Sequence, residues 1–467
     1  MFSLKRKSRK QSRSTSRFGR SQRRLIAQSL EPRQMLAGDV TANFAAGVLT
    51  ITGDGSGNGV EMIPGDNPGE YRVIGTDVNG AMTQVTGTGV FIEDPLTAVN
   101  VNLAGGSDTF TIRGLSVANQ LAINGAVTIT DPSGSNTFEV INARISGALT
   151  VNGGVDEDNV LIDGSRIIGA TSLLLGVGDN SAMLVSGSIL DGTLTYNGGA
   201  GEDSVFIVEA EIDGVVAIAT DGGNDKVVFG MSTDPTVGGN ININLGAGND
   251  RAIIHDTDAK RRVNINGGAG NNIVDIEQSM IGVSVVGTVL QVTNALGHDT
   301  LSIRDTLISD DVVVNNGAAG QTFGSETDIV DSEIRGDFNL TGDGGVDMFN
   351  VTDTEIRNDV TLIFGNGESF VTFLRADLGD DLSITGGIHR DDVTLEATIL
   401  EGDASISLLQ GVDRLSLLAG TQLKGISTLS GGAGPDIDTF VRELAPDMVD
   451  IALLNLTQFE THLFVNN

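Results

Sequence analysis

The sequence predicts an all-β fold, a single-stranded parallel β-helix in which one rung of roughly 22 residues repeats through most of the 467-residue chain. Three observations carry this. A Gly/Asn/Asp-rich turn recurs at a steady interval, short β-branched runs flank it, and no stretch shows helical periodicity. Aromatic residues are 4% of the chain, too few to anchor several compact cores, whereas hydrophobic residues, mostly aliphatic, are 39%. Many glycines (63) and few prolines (8) suit strands joined by tight turns.

The repeat is plainest at NGGAGEDSVFI (197–207), NLGAGNDRAII (244–254) and NGGAGNNIVDI (266–276). Weaker copies include NLAGGSDTFTI (102–112), NGGVDEDNVLI (152–162) and TGDGGVDMFNV (341–351). The acid closing each turn marks the register. Asp158 to Asp203 is two periods, Asp203 to Asp225 one, and Asp250 and Asn272 follow. Later, Asp347, Asp392, Asp413 and Asp436 keep the rhythm, which implies about fifteen rungs between residues 97 and 440. Within a rung the pattern reads strand, break, strand, turn: Val205–Val208, then 209–214, then Val215–Ile218, then Thr220–Asp225. Rungs stacked at ~4.8 Å would give a rod of roughly 70 Å. Stacking puts Val, Ile and Leu in columns that fill a narrow core. It also aligns Asn102, Asn124, Asn152, Asn197, Asn244 and Asn266, whose amides can bond up the column.

Open solenoid ends need covering. Residues 39–96 read as a β-meander cap at the amino-terminal end, and residues 441–467, which lose the Gly pattern, as a carboxy-terminal cap.

Charge divides the chain. Residues 1–38 carry eleven Lys/Arg and one acid, Glu31, leaving 17 bases and 60 acids for the rest. A body that acidic repels nucleic acid and anionic membranes and attracts cations. There is no Cys, so neither disulfides nor thiolate chemistry is available. No run is long and apolar enough to span a bilayer.

The leader ends in Leu30-Glu31-Pro32-Arg33-Gln34-Met35-Leu36-Ala37-Gly38 after a Ser-rich basic run. It resembles the amino-terminal signature of planctomycete extracellular repeat proteins. That resemblance covers about ten residues plus the basic lead-in, and it implies an exported, extracellular or cell-surface protein. Residues 1–38 are expected to be a disordered export leader.

The turn GGAGEDSVF (198–206) matches the nonapeptide of repeat-in-toxin (haemolysin-type) proteins in full. The resemblance implies Ca²⁺ bound between rungs by Asp carboxylates and backbone carbonyls, in keeping with the six to eight oxygens Ca²⁺ takes. Two departures stand against it: the period is about 22 rather than 18, and each rung has one Gly-rich turn rather than two. The competing reading is that Asp and Asn are here as turn residues. Like charges stacked at rung spacing repel, which either a bound cation or an outward orientation would relieve. The candidate Ca²⁺ ligands are Asp203, Asp225 and Asp250 with Glu202 and Asp221, then Asp156 and Asp158.

An enzyme on such a scaffold, a polysaccharide lyase or hydrolase, would need acids converging with a His or a basic residue. The chain has four His, and His389-Arg390-Asp391-Asp392 is the densest cluster. Lys260-Arg261-Arg262 is the one dense basic run of the acidic body. Both read more simply as solvated turns. With no Trp, and Tyr only at 71 and 196, stacking platforms for sugars are scarce. The sequence therefore predicts a non-enzymatic, structural or adhesive protein that meets cell-surface or matrix polymers, with Ca²⁺ as its candidate ligand. A carbohydrate-active enzyme and a repeat-in-toxin-like calcium-binding protein stand as alternatives.

Overall fold

The computed structural model describes residues 38–67, 69–78, 81–230, 235–317, 323–433, 436–443 and 450–465. The leader expectation for residues 1–38 falls, save Gly38, outside the described residues. The described chain is all-β, with parallel stacked coils of about 22 residues repeated about 15 times.

Each coil has three faces rather than the two strands read from the sequence. The segment 209–214, expected to be a break, contains a two-residue strand, Glu211–Ile212. A representative coil runs along the second face at Ser204–Ile207, the third at Glu211–Ile212 and the first at Val216–Ala219. The Gly-rich turn then leads to the next second-face strand, Lys226–Phe229. All three strands pair in parallel register with the coils above and below. For the first face, Leu194↔Val216↔Ile241 and Tyr196↔Ile218↔Ile243 stack. For the third, Leu190 stacks on Ile212, and Ile212 on Val237.

Alternation decides what is inside. Val205, Ile207, Ile212, Val216 and Ile218 point inward and are all but fully buried, while the residues between them face solvent. The third-face strand leaves no β-prone run in the sequence, because only one of its two side chains is apolar and inward.

Longer coils absorb extra residues at corners without shifting the pairing. Asp225 to Asp250 spans 25 residues, and Asn272 to Asp299 spans 27, yet the flanking strands stay aligned. This corrects two register marks. The residue that stacks under Asp413 is Asp438, not Asp436, and the one above it is Asp391, not Asp392.

The caps differ from expectation. Residues 39–96 do contain the antiparallel pairs of a meander: Asp39–Ala45 with Val48–Thr52, and Gly59–Pro64 with Tyr71–Gly75. Two of these strands are already rungs, however. Val48–Thr52 pairs parallel with Ala98–Asn102, and Gly59–Pro64 pairs parallel with Thr109–Arg113. At the other end, Asp450–Thr457 pairs parallel with Gln422–Ser430, and Thr461–Val465 with Thr439–Glu443. The carboxy-terminal segment is another turn of the solenoid. Its strands keep the parallel pairing of the coil while losing the Gly-rich turn that marks it in the sequence.

Candidate functional site

The Gly-rich corner, between first and second faces, holds a column of short polar side chains at the entry to each second-face strand. It runs Asp108, Asn136, Asp158, Asn180, Asp203, Asp225, Asp250, Asn272, Asp299, and later Asp347, Asp391, Asp413 and Asp438, each at most 3% exposed. They neither point into water nor face one another as a charge stack. In most coils the Oδ1 atom accepts the backbone N–H of the equivalent residue one coil earlier. Asp158 N–H donates to Asn180 Oδ1 at 2.9 Å, Asn180 to Asp203 at 2.9 Å, Asp203 to Asp225 at 2.8 Å, Asp225 to Asp250 at 2.8 Å and Asp250 to Asn272 at 3.1 Å. Asp391 and Asp413 continue the ladder toward Asp438 at 2.9 Å each. Where Ser replaces the acid, its hydroxyl donates as well: Asp347 Oδ1 accepts from the Ser325 N–H at 3.1 Å and from Ser325 Oγ at 2.7 Å. These corner N–H groups are buried and need an acceptor, and a side chain of the next coil supplies it.

The second carboxylate oxygen turns inward. Oδ2 of Asp108, Asp203, Asp225, Asp250 and Asp413 is buried without a hydrogen-bond partner. In several coils the carboxyl lies against a glycine just before the turn. A Cβ on Gly198 would come within 2.0 Å of Asp203 Oδ2, and one on Gly153 within 2.1 Å of Asp158 Oδ2. The missing side chain makes room for the carboxyl. Burial, the largest cause throughout, raises these groups: Asp203 and Asp413 to about 7, and Asp158, Asp250, Asp347 and Asp391 to about 6. Hydrogen bonds from the preceding coil oppose the rise without cancelling it.

The predicted ligand set therefore divides in two. Asp158, Asp203, Asp225 and Asp250 are in the buried column. Glu202, Asp221 and Asp156 are exposed on the outside of the same turns. Asp156 and Asp221 take positive φ, 78° and 64°, a turn conformation that Asp tolerates. Glu202 instead receives a 3.4 Å contact from the Asn224 amide.

Sequence reasoning missed three polar features. Asp131, fully buried, sits beside Asp108, and burial followed by that neighbour raises its carboxyl strongly. At the corner between second and third faces, Ser279, Thr306, Ser332 and Thr354 form a buried hydroxyl ladder. Ser279 Oγ receives the Thr257 N–H at 3.1 Å, and Ser332 Oγ receives the Thr306 N–H at 3.2 Å. The signal was present as a recurring Asp-Ser/Thr pair, with the preceding Asp256, Asp305, Asp331 and Asp353 at positive φ. The last is a third row at the remaining corner, of opposite polarity. Asp381 N–H donates back to Asp359 Oδ1 at 3.1 Å, and Asp403 N–H to Asp381 Oδ1 at 2.7 Å.

The elements of the supposed enzyme cluster do not converge. His389 is exposed, with Nδ1 against the Asn366 carbonyl. Arg390 pairs with Asp392. Asp391 is inside the column, bonded to Ser369 and to the Gly387 N–H. Lys260 pairs with Asp258 on its own strand corner.

Residues 21–40 match the family described as Planctomycete extracellular. The protein is extracellular. That match covers only residues 21–40, so the rest of the chain is characterised by its own geometry. Neither the curated proteins nor the solved structures gave a match to the chain. Among the described residues, no helix is long and apolar enough to cross a membrane.

Proposed function

We propose that this extracellular protein is a structural and adhesive solenoid, without catalytic activity, that presents a long regular surface to cell-surface or matrix polymers. One observation carries the reading: the buried aspartates at the Gly-rich corner are engaged as acceptors of the coil-to-coil ladder. Asp391, the acid of the most promising cluster, is bonded to its own turn and the neighbouring coil. The experiment is a turnover assay on a panel of neutral and acidic polysaccharides, read by new reducing ends and by the absorbance of unsaturated products. No release is expected, and sustained turnover would overturn the proposal.

A second reading, Ca²⁺ binding, is favoured by three consecutive buried Oδ2 atoms without partners, at Asp203, Asp225 and Asp250. Ca²⁺ would neutralise carboxylates whose burial is costly. A proton does the same at lower pH, and the raised carboxyl groups favour holding it. The two occupants compete, so Ca²⁺ would stabilise the solenoid at pH 8 and lose its effect near pH 5.

A further inference from the structure

The outward positions of the first face contrast with the rest of this acidic chain. Two solvent-facing columns run along it in unbroken register. One includes Thr50, Asn100, Thr128, Thr150, Ser172 and Thr195, and continues through Asn242, Asn264 and Gln291 to Thr428. The other, two residues along each strand, includes Thr52, Asn102, Thr130, Asn152 and Asn197, then Asn244, Asn266 and Thr293, ending at Ser430 and Thr457. No Asp, Glu, Lys or Arg occupies either column between Thr50 and Thr457. The second face, with the same strand geometry, carries Glu139, Lys226, Arg251, Asp275, Glu326, Asp328 and Asp392 outward. In a chain of net charge −33, exclusion of charge from one face alone is not a consequence of composition.

We propose that this face is a docking surface for a neutral, hydroxyl-rich polysaccharide, a partner class that rests on the structural and adhesive reading above and makes it specific. Three features point to that partner. The first is chemistry: amides and hydroxyls both donate and accept, as sugar hydroxyls do. The columns already bond along themselves, with Asn264 Nδ2 donating to Asn242 Oδ1 and Asn266 Nδ2 to Asn244 Oδ1, both at 2.8 Å. That fixes each amide in place and leaves its remaining donor and lone pairs for a ligand, so little side-chain entropy is lost on binding.

The second feature is the border. The face is flanked over its later coils by the row Asp311, Asp337, Asp359, Asp381 and Asp403 at one corner, and over its earlier coils by the exposed turn acids Asp156, Asp179, Glu202 and Asp221 at the other, with the exposed Arg261 and Arg262 interrupting the acidic border beside Asn264. An anionic polymer would meet repulsion from an acidic border along most of the face. So would a second copy of this chain laid face to face, since its acid borders would lie against these. A neutral chain meets neither.

The third is relief. Ala217 and Ala219 stand between Thr195/Asn197 and Asn242/Asn244, and the loss of side-chain length there opens a shallow depression of about 580 Å³ floored by sheet. A stretch of saccharide can settle in it. Rungs ~4.8 Å apart and outward positions ~6.6 Å apart along a strand make every site nearly equivalent. Each contact can then be weak and the whole attachment firm by multiplicity.

The test uses the full chain, co-sedimented with amorphous cellulose and run by affinity electrophoresis in a soluble neutral β-glucan, in alginate and in chitosan. The variant Thr195→Asp/Asn242→Asp/Asn264→Asp places charge in the face, and Thr372→Asp, outward on the charged second face, is the control. Melting curves establish that both fold; should the triple variant fail to, Asn242→Asp alone takes its place. The proposal expects retention by at least one neutral polymer, a loss of about tenfold or more in the triple variant, and no change in the control. Absence of retention by both neutral polymers overturns it, and so does equal retention of the charged variant. Preference for alginate or chitosan would assign a charged partner and overturn it too, as would a dimer in sedimentation velocity that the charged variant abolishes. Release of new reducing ends by wild type would instead overturn the structural reading, whether or not binding is seen.

Discussion

The backbone N–H of Asp203 donates to the carboxylate of Asp225, one coil further on, at 2.8 Å. Asp203 in turn accepts the N–H of Asn180 from the coil before at 2.9 Å. Each acid is thus donor and acceptor in one line of bonds along the corner. Removing a single side chain orphans the N–H of the preceding coil. The variant Asp203→Ala should cost about 1–3 kcal/mol, the penalty of a buried unsatisfied N–H, measured by denaturant unfolding. Wild-type stability in the variant would show that the ladder does not contribute.

The same line makes stability depend on pH, in the direction opposite to the usual surface aspartate. Folded Asp203 and Asp413 titrate at about 7 and Asp158, Asp250, Asp347 and Asp391 at about 6, raised chiefly by burial. In the unfolded chain they titrate near ~3.9. Between these values the native state holds more protons, so the stabilisation is complete below about pH 4 and is lost as pH rises through about 6–7. Melting temperature should fall between pH 5 and pH 8; a rise would contradict the assignment.

Asn occupies the column at 136, 180 and 272, and Asn180 satisfies its amide with the carbonyls of Gly176, Gly178 and Gly198. The variant Asp203→Asn keeps the Oδ1 acceptor and removes the titration. It should fold, melt higher than wild type at pH 8, and show a smaller fall in melting temperature from pH 5 to pH 8. A steeper fall would locate the pH dependence elsewhere.

If Ca²⁺ sits at the unpartnered Oδ2 atoms with a Kd near ~10⁻³ M, 10 mM Ca²⁺ should stabilise the fold by about 1.4 kcal/mol at pH 8. The shift should vanish with chelator, shrink in Asp203→Asn and disappear near pH 5. Identical melting curves with Ca²⁺ and chelator at pH 8 would remove Ca²⁺ from the account.

The corner also depends on backbone approach. Gly248 has φ +155°, and a Cβ there would lie 1.4 Å from the Gly223 carbonyl oxygen of the preceding coil. The variant Gly248→Ala forces two coils apart and is expected to cost more than about 3 kcal/mol. Limited proteolysis near residue 248 should detect it; unaltered resistance would mean that the stack can relax.

The class of fold, the period and the composition of the Gly-rich corner were all legible in the amino-acid order. They are local properties, written within one repeat: a short apolar alternation and a turn that needs glycine and Asp. The extracellular location was legible too, because the match over residues 21–40 is a property of the amino-acid order. Placement across coils was not, because it depends on strands that meet only after the chain has wound. Asp203 and Glu202 are neighbours in sequence, yet one is buried in the ladder and the other lies on the outside of the turn, because side chains alternate across the strand entry. Asp391 rather than Asp392 belongs to the column because strand pairing fixes which of two adjacent acids turns inward, and Asp438 rather than Asp436 because that coil spans 25 residues. The charge-free face is the same kind of fact. Thr195, Asn242 and Asn264 lie many residues apart, and they form one surface only because parallel pairing stacks their strands at ~4.8 Å.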